Sequence, residues 1–236
     1  MNIYNTVIKF GGSLLFNDEK QINSQKIAKL CKIIRNKDSN ESIAIVVGGG
    51  IIAREYINFV RNVTDNEALC DLFGIQTSRL NARLFISSLG DLAYPIVPTT
   101  YDELALAQQS NKIIAMGGLQ PGQSTTSVAL EVAEFLRAQR VIILTDVKGI
   151  YTKDPDKYED AELIDSLDYS QLTDIIVKQA SSQQGAAGEY RIFDPVSLQI
   201  LKRSKLEVHI GSGIQLDEFK QFWREKKRTF GTVISD

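Results

Sequence analysis

Short apolar runs alternate along the chain with longer segments in which apolar residues recur at helical spacing. The runs favour buried β-strands, and they fall at residues 5–11, 42–50, 111–118, 140–149 and 206–211. Residues 94–100, which contain two prolines, predict a short edge strand. The other segments predict amphipathic helices at 18–37, 51–63, 68–90, 125–139, 197–204 and 216–226. This alternation predicts an α/β protein whose mainly parallel sheet is covered by helices on both sides.

Glycines follow three of the predicted strands, at residues 11–12, 48–50 and 117–118. Because the carboxyl ends of parallel strands meet at one edge of a sheet, we expect these turns to lie together. Glycine leaves the backbone open to a ligand, and the helix that follows directs its free N–H groups toward the turn. The three turns together predict a site for two phosphate-bearing ligands, although glycines that only end strands would give the same local pattern.

Lys9 interrupts the first apolar run, two residues before the first glycine pair. A lysine in a buried strand costs free energy unless its ammonium group finds a partner. Its long side chain can carry the charge over the glycine turn, where it would neutralise charge that develops during phosphoryl transfer. The alternative is a lysine whose end reaches solvent at the sheet edge.

The composition narrows the classes of function. A net charge of −2 over 236 residues gives no support for binding nucleic acid or a membrane through bulk charge. No apolar run could span a bilayer and no leader-like segment opens the chain, so we expect a cytoplasmic protein. Cys31 and Cys70 lack the spacing of a metal site or disulfide framework, and a lone histidine, His209, disfavours histidine triads. Neither a Walker loop nor a GxGxxG fingerprint is present.

Three motifs in order, KFGGS (9–13), VVGGG (46–50) and ILTDVKGIYTKDP (143–155), resemble the amino acid kinase superfamily. Within it, DLFGIQTSRLNA, GGLQPGQSTT and FDPVSLQILKRSK resemble the uridylate kinases of the archaeal type. The resemblance covers nearly the whole chain. It implies a three-layer α/β/α sandwich in a single domain over residues 1–236, and transfer of the γ-phosphoryl group of ATP to UMP in pyrimidine nucleotide biosynthesis.

The resemblance also implies the site residues. Lys9, Arg54 and Asp146 are the implied catalytic residues. The ATP-binding residues would be Lys9, Gly11, Gly12, Ser13, Gly50, Arg54, Thr145, Asp146, Tyr151 and Asp154. The UMP-binding residues would be Gly49, Asp71 and a loop formed by Leu119, Gln120, Pro121, Gly122, Gln123, Ser124 and Thr125. The part up to about residue 140 would bind UMP and the part from about 141 would bind ATP.

Further partners follow from the same resemblance. Mg²⁺ would accompany ATP and be held mainly by nucleotide phosphates, without a dedicated set of protein ligands. The chain would form a hexamer built from dimers, and the apolar segment 69–89 would lie in the dimer contact. The backbone-rich loop at 119–125 would read the base by hydrogen bonds, which predicts a strong preference for UMP over CMP.

Other functions stay open. A related kinase could act on another small phosphate or on a carboxylate, but carboxylate kinases of the superfamily supply a second lysine that segment 185–195 lacks. Isopentenyl phosphate kinases carry a histidine after the second glycine turn, and residues 48–55 contain none. Asp146 is more typical of carboxylate kinases than of uridylate kinases. The same fold also serves oxoanion storage proteins and could serve a nucleotide-sensing regulator.

Overall fold

A computed structural model describes residues 6–36, 41–155, 157–181, 192–225 and 230–236, and these residues form a single seven-stranded sheet. The strands are β1 (Thr6–Phe10), β2 (Ile43–Val47), β3 (Ile114–Met116), β4 (Arg140–Thr145), β5 (Ser166–Leu167), β6 (Glu207–Ser212) and β7 (Thr232–Ile234). They lie in the order β3-β2-β1-β4-β6-β7-β5. The pairs from β3 to β6 are parallel, whereas β7 runs antiparallel to β6 and carries β5 alongside it.

Eight α-helices are formed by the described residues: α1 (Ser24–Arg35), α2 (Gly50–Val63), α3 (Glu67–Leu89), α4 (Tyr101–Gln108), α5 (Thr125–Leu136), α6 (Tyr169–Ser181), α7 (Pro195–Ser204) and α8 (Leu216–Glu225). Right-handed crossovers from β1 through β2 to β3 place α1 to α4 on one face. The return crossovers to β4 and β6 place α5 to α7 on the other face. The packing agrees, because α1 contacts α3 and α8, whereas α5 contacts α7. The expected three-layer α/β/α sandwich is therefore confirmed.

The direction of the crossovers reverses between β1 and β4, which are neighbours in the sheet. In open α/β sheets, ligands bind in the crevice outside the carboxyl ends of the strands at such a reversal. Lys9 lies near that end of β1, opposite Val46 of β2 and Ile143 of β4. The other four residues of β1 are buried. Lys9 therefore places a charged group at the crevice, near the end of a strand that otherwise lies inside the protein.

The structure differs from the sequence-based expectations in two segments. The helix expected from residue 18 begins at Ser24, because the Asn23 side chain accepts a hydrogen bond from the Lys26 backbone and caps it. Ile22, which lies within the expected helix but before the observed one, is 52% exposed. The strand expected at residues 94–100 is wrong. The prolines of that segment cannot donate to a ladder, and the only bridge nearby in the described chain joins Ala93 to Ile113.

Among the strands and α-helices, four were not predicted from the sequence: α4, α6, β5 and β7. Helix α4 carries a start signal, since Thr100 accepts a hydrogen bond from the backbone of Glu103. Strands β5 and β7 are only two and three residues long, which is too short for a periodic pattern. Among the described helices, none has the length and apolar character needed to cross a membrane.

A buried histidine lies near the amino ends of the central strands. His209 of β6 is only 4% exposed, and its ring packs 4.9 Å from the ring of Phe222. Its Nε2 lies 2.7 Å from a carboxylate oxygen of Glu207, while Nδ1 has no hydrogen-bond partner among the described residues. Burial lowers the pKa of His209 below 6.5, and nearby Arg140 adds to the effect while Glu207 opposes it.

We predict that protonation of His209 destabilises the fold in mild acid. The histidine pKa is lower in the folded chain than in the unfolded chain, so the folded state binds fewer protons and loses stability as the pH falls below about 6.5. Chemical unfolding at pH 7.5 and pH 5.5 would measure the loss. The His209→Gln variant keeps a hydrogen-bond donor but does not titrate, so it should lose less stability over that interval. Equal losses in the two proteins would contradict the prediction.

Candidate active site

Two glycine turns meet backbone to backbone at the carboxyl edge of the sheet. A Cβ atom at Gly48 would lie 2.6 Å from the Gly12 nitrogen, and a Cβ at Gly12 would collide with the Gly50 backbone. Gly50 has a φ of +69°, and a side chain there would strike the Gly12 carbonyl. Only glycine fits this contact. The turns after β1 and β2, which the sequence predicted to lie together, therefore form one continuous backbone surface. We call this surface, formed by Gly11, Gly12, Gly48, Gly49 and Gly50, the glycine surface.

Three helical segments begin around that surface. A 3-10 turn starts at Gly12, α2 starts at Gly50 and α5 starts at Thr125. The Thr125 hydroxyl lies 3.5 Å from where a Cβ of Gly48 would stand. Unpaired N–H groups and the positive ends of helix dipoles thus gather in one place, which suits phosphate groups.

Lys9 stands beside this surface. A Cβ atom at Gly11 would lie 3.7 Å from the Lys9 ammonium nitrogen. The Gly11 N–H donates to the Leu144 carbonyl at 2.9 Å, and this hydrogen bond joins the turn to β4. Although the residue keeps some exposed surface, burial of its ammonium group lowers the pKa of Lys9 to about 8, and the charge of Asp146 partly opposes this. Lys9 is therefore mostly charged at pH 7 and has no ion pair with a described carboxylate.

Asn81 of α3 supports the second glycine turn from behind. Its buried side-chain amide donates to the Gly48 carbonyl at 2.9 Å and to the Gly49 carbonyl at 3.0 Å. The sequence reading missed Asn81. The available signal was a polar amide within the apolar stripe of a helix, where a buried side chain needs partners.

The loop of residues 119–125, which follows β3 and leads into α5, is held by helix α3. The Gly122 N–H donates to an Asp71 carboxylate oxygen at 2.8 Å, and Gly122 has a φ of +80°. At the start of the loop, Arg79 donates to the carbonyls of Gly118 and Leu119. The structure thus brings together Asp71 and the 119–125 loop, which the sequence reading had assigned to one ligand, and it adds Arg79, which that reading missed.

The second half of this loop is fixed by helix α5. Gln123 donates its side-chain amide to Glu131 at 2.7 Å, and Ser124 caps the helix by accepting from the Ser127 backbone at 3.1 Å. The side-chain amide oxygen of Gln123 (Oε1) is buried and has no hydrogen-bond partner in the described part of the chain. Gln120 and Pro121, at the tip, are exposed. The loop is therefore anchored at its start, at Gly122 and at its end, and Gln120 and Pro121 lie exposed between the first two anchors.

The remaining candidate site residues lie at the end of β4 and in the segment that follows it. Thr145, at the end of the strand, donates its hydroxyl to Asp146 at 3.0 Å, and Asp146 itself is exposed next to β1. Tyr151 pairs with Leu163 in an isolated bridge, and Asp154 forms an ion pair with Lys157 at 3.4 Å. Thr145 and Asp146 thus adjoin Lys9, whereas no described contact joins Tyr151 or Asp154 to it.

Two further candidates are exposed around the glycine surface. Ser13 lies in the 3-10 turn after Gly12, and Arg54 lies one turn into α2. Arg54 makes no ion pair with a carboxylate of the described chain. Its guanidinium group is therefore available to a ligand at this edge.

Asp194 joins two helices of the second face and was also missed as a site-supporting residue. It caps α7 by accepting from the Ser197 backbone at 2.7 Å, and it accepts from the Ser127 hydroxyl of α5 at 2.8 Å. Burial would raise the pKa of Asp194, but hydrogen bonds from Ser124, Ser197 and Ser127 hold it below its usual range. The start of α5, beside the glycine surface, is thereby tied to the start of α7.

The model of the amino acid kinase family matches residues 5–212 of the sequence. The chain belongs to the amino acid kinase family. Membership makes it a phosphotransferase and implies ATP as the phosphoryl donor.

Several relatives of this kinase share most of its length. The uridylate kinase of Methanobrevibacter smithii is 42% identical over 207 residues, which cover 88% of this chain and 89% of that one. The uridylate kinase of Sulfolobus acidocaldarius is 41% identical over 194 residues, covering 82% and 83% of the two chains.

Solved structures show the same kinase fold. The crystal structure of uridylate kinase from Archaeoglobus fulgidus superposes with a TM-score of 0.83 at 32% identity, covering 98% of this chain and 100% of that one. The UMP kinase of Bacillus anthracis superposes with a TM-score of 0.78 at 18% identity, covering 100% and 97%, which shows the shared fold alone.

We predict that removing the charge of Asp146 lowers the pKa of Lys9 in this kinase below about 8, because that charge opposes the effect of burial. Carbon-13 NMR titration of reductively methylated protein would measure the pKa, with Lys9→Arg used to assign the resonance. Asp146→Asn is the test variant, and Asp165→Asn, at an exposed position outside the site, is the control. A Lys9 pKa that is unchanged in Asp146→Asn would contradict the prediction.

Proposed function

We propose that this kinase is a uridylate kinase, which transfers the γ-phosphoryl group of ATP to UMP and forms UDP and ADP in pyrimidine nucleotide biosynthesis. The observation that carries the proposal is the bond between Asp71 and Gly122, which places a carboxylate and a backbone-rich loop together beside the glycine surface. Relatives that carry the name uridylate kinase are 36–42% identical to the chain, which supports the same assignment.

In this proposal, ATP lies on the β4 side of the crevice. Lys9 and the backbone of Gly11, Gly12 and Ser13 bind its phosphates, because these groups surround the start of the 3-10 turn. Thr145, Asp146, Tyr151 and Asp154 follow β4 and bind the nucleoside. The part of the chain from about residue 141 then serves the donor, and the part before it serves the acceptor.

UMP lies on the opposite side, against α2, α3 and the 119–125 loop. Gly49 approaches the nucleotide, Asp71 accepts from ribose hydroxyls and the loop reads the base. Asp71 can bond both Gly122 and a ribose, since an ionised carboxylate has about four acceptor positions. Gly50 and Arg54 lie between the two nucleotides, where a planar guanidinium group can bind phosphate oxygens in pairs.

The proposed phosphoryl transfer depends on positioning of the two nucleotides and on neutralisation of their charge, and it does not require a general base. The acceptor phosphate loses its second proton at a pH of about 6, so at pH 7 the nucleophile is already largely ionised. Lys9 then neutralises charge that develops on the transferred group, and Asp146 orients the Lys9 ammonium by its charge. Mg²⁺ would screen the ATP phosphates, and the exposed Asp146 carboxylate is the group of the described site best suited to bind its water shell.

Two other functions make different predictions. A carboxylate kinase of this family would use a second lysine; residues 185–191, where the sequence lacks one, lie outside the described structure. A storage protein or a nucleotide-sensing regulator would bind nucleotide without turning over a small acceptor. The cytoplasmic location expected from the sequence stays a prediction.

A coupled assay for ADP across a panel of acceptors tests the proposal. We expect UMP to be the preferred acceptor, with a specificity constant ~10⁴-fold above that of CMP, because a site built on hydrogen bonds leaves buried groups unpaired with the wrong base. The panel also contains AMP, GMP, isopentenyl phosphate, acetylglutamate and aspartate. UMP and CMP values within about tenfold of each other would overturn base reading by the loop. ADP formation with none of the acceptors would favour a binding protein.

The assembly proposal rests on an apolar surface shared by α2 and α3. We call this surface the α2–α3 apolar face, and it consists of Tyr56, Phe59, Val63, Leu69, Leu72 and Phe73. Phe59 is 67% exposed and Val63 is 68% exposed. Exposed apolar surface of this kind marks contact sites between chains. We propose that the chain forms a dimer through this face and a hexamer of three such dimers; the expectation from sequence placed segment 69–89 in the dimer contact.

We predict that the chain is a stable oligomer and that Leu72→Asp weakens it, because the substitution places a charge in the proposed contact. Size-exclusion chromatography with light scattering at micromolar concentration would measure the mass. Leu106→Asp is the matched control, since Leu106 is 67% exposed on α4, away from the α2–α3 apolar face. A monomeric wild-type chain, or equal weakening by the two substitutions, would contradict the assembly proposal.

A further inference from the structure

We propose that Arg79 determines the selectivity of the acceptor site by fixing the backbone conformation at the start of the 119–125 loop. Arg79 lies in the middle of α3, and its hydrogen-bond partners in the described chain, Gly118, Leu119 and Thr99, are not among the residues that the family resemblance assigns to ATP. The inference rests on the proposed function, because it takes this loop to be the part that reads the acceptor base. It makes Arg79 a positioning residue, which acts on the acceptor through the loop.

The guanidinium group of Arg79 binds two consecutive backbone carbonyls. Its Nε donates to Gly118 at 2.9 Å and one Nη donates to Leu119 at 3.0 Å, with the Thr99 carbonyl further away at 3.5 Å. Two donors held rigidly in one plane fix the relative orientation of the two peptide groups. Arg79 therefore fixes the direction in which the chain leaves β3 and enters the loop.

A second side chain of α3 completes this anchor. The Gly118 N–H donates to the Ser78 hydroxyl at 2.8 Å, and that hydroxyl donates to the Ile75 carbonyl at 2.7 Å. Both polar backbone groups of Gly118 are therefore bound to α3. The close approach of the chain to α3 requires Gly117, because a Cβ there would lie 2.5 Å from the backbone nitrogen of Arg79.

Little freedom remains between the two anchors of the loop. Gly118 and Leu119 are held by Arg79, and Gly122 is held by Asp71, so only Gln120 and Pro121 lie between bound groups. Pro121 has a fixed φ. The backbone groups that face the acceptor are thus set before the acceptor binds. Such preorganisation sharpens the discrimination between bases that present opposite patterns of donors and acceptors.

The surroundings of Arg79 direct its charge toward the loop. The side chain is half-buried, and burial lowers the pKa of Arg79, while the charge of Glu103 opposes the effect. The Glu103 carboxylate bonds the backbone and hydroxyl of Thr99, at 2.6 and 2.8 Å, and forms no ion pair with Arg79. A half-buried guanidinium group needs hydrogen-bond partners, and in the described chain these are the backbone carbonyls at the loop start.

The experiment compares Arg79→Lys with wild type and with Arg83→Lys. Lysine keeps the charge and most of the length, but a single ammonium group cannot hold both carbonyls in one geometry. Arg83 lies one turn further along the same helix and is exposed, so it controls for the substitution itself. The measurements are the KM values for UMP and ATP, the ratio of specificity constants for UMP and CMP, and amide hydrogen exchange across the chain.

We expect Arg79→Lys to raise the KM for UMP about tenfold and to lower the UMP-to-CMP ratio about tenfold, because one charge-assisted hydrogen bond is lost from the anchor. The KM for ATP should stay within about twofold, since the donor side does not contact Arg79. Amide exchange should accelerate at residues 118–122 and not in the central strands. Arg83→Lys should match wild type in every measurement.

Other results would overturn the inference. Equal changes in the KM values for UMP and ATP, or faster exchange throughout the chain, would show a general loss of stability. An unchanged UMP-to-CMP ratio would show that Arg79 does not set selectivity. If wild type forms UDP and Arg79→Lys equals it, this inference fails while the proposed function stands. If wild type forms no UDP, the proposed function fails, and with it any role of Arg79 in selecting the acceptor.

Discussion

The rest of the site depends on the contact between the turns after β1 and β2, where Gly12 meets the backbone of Gly48 and Gly50 without room for a side chain. This contact brings the start of the 3-10 turn and the start of α2 to the same point. It also lies beside the reversal of crossover direction between β1 and β4. The Lys9 ammonium, the end of β4 and the start of α5 are all arranged around it. A fold of this class provides the crevice, and the absence of side chains at these turns keeps it open to phosphates.

Helix α3 serves three regions at once. Asn81 supports the second glycine turn, Arg79 and Ser78 hold the start of the 119–125 loop, and Asp71 holds its middle. Another side of the same helix contributes to the α2–α3 apolar face. Because one rigid element carries all of these contacts, a displacement of α3 would change the glycine surface and the loop together. The second glycine turn and the 119–125 loop therefore both depend on the position of a single helix.

The sequence predicted the features that arise from patterns of neighbouring residues. Apolar runs predicted the main strands, and the glycines after them predicted that the turns after β1 and β2 meet, since both depend on a few neighbouring residues. The contact between Asp71 and Gly122 spans 51 residues, and the expectation that they share a ligand came from the family resemblance, not from spacing. Arg79 and Asn81 bond backbone groups more than 30 residues away, so no local pattern indicates their roles. The strand expected at 94–100 failed because prolines occupy a segment that otherwise resembles an edge strand.

The two outermost strands of the sheet have a consequence for how copies of this chain can meet. At one border lies β3, three residues long, and at the other lies β5, with two. An unpaired border strand is a template on which another chain can add its own strand, and a long one invites aggregation. Borders this short offer few free backbone groups for such pairing. Pairing of strands from two copies across these borders would therefore contribute little to any contact between them.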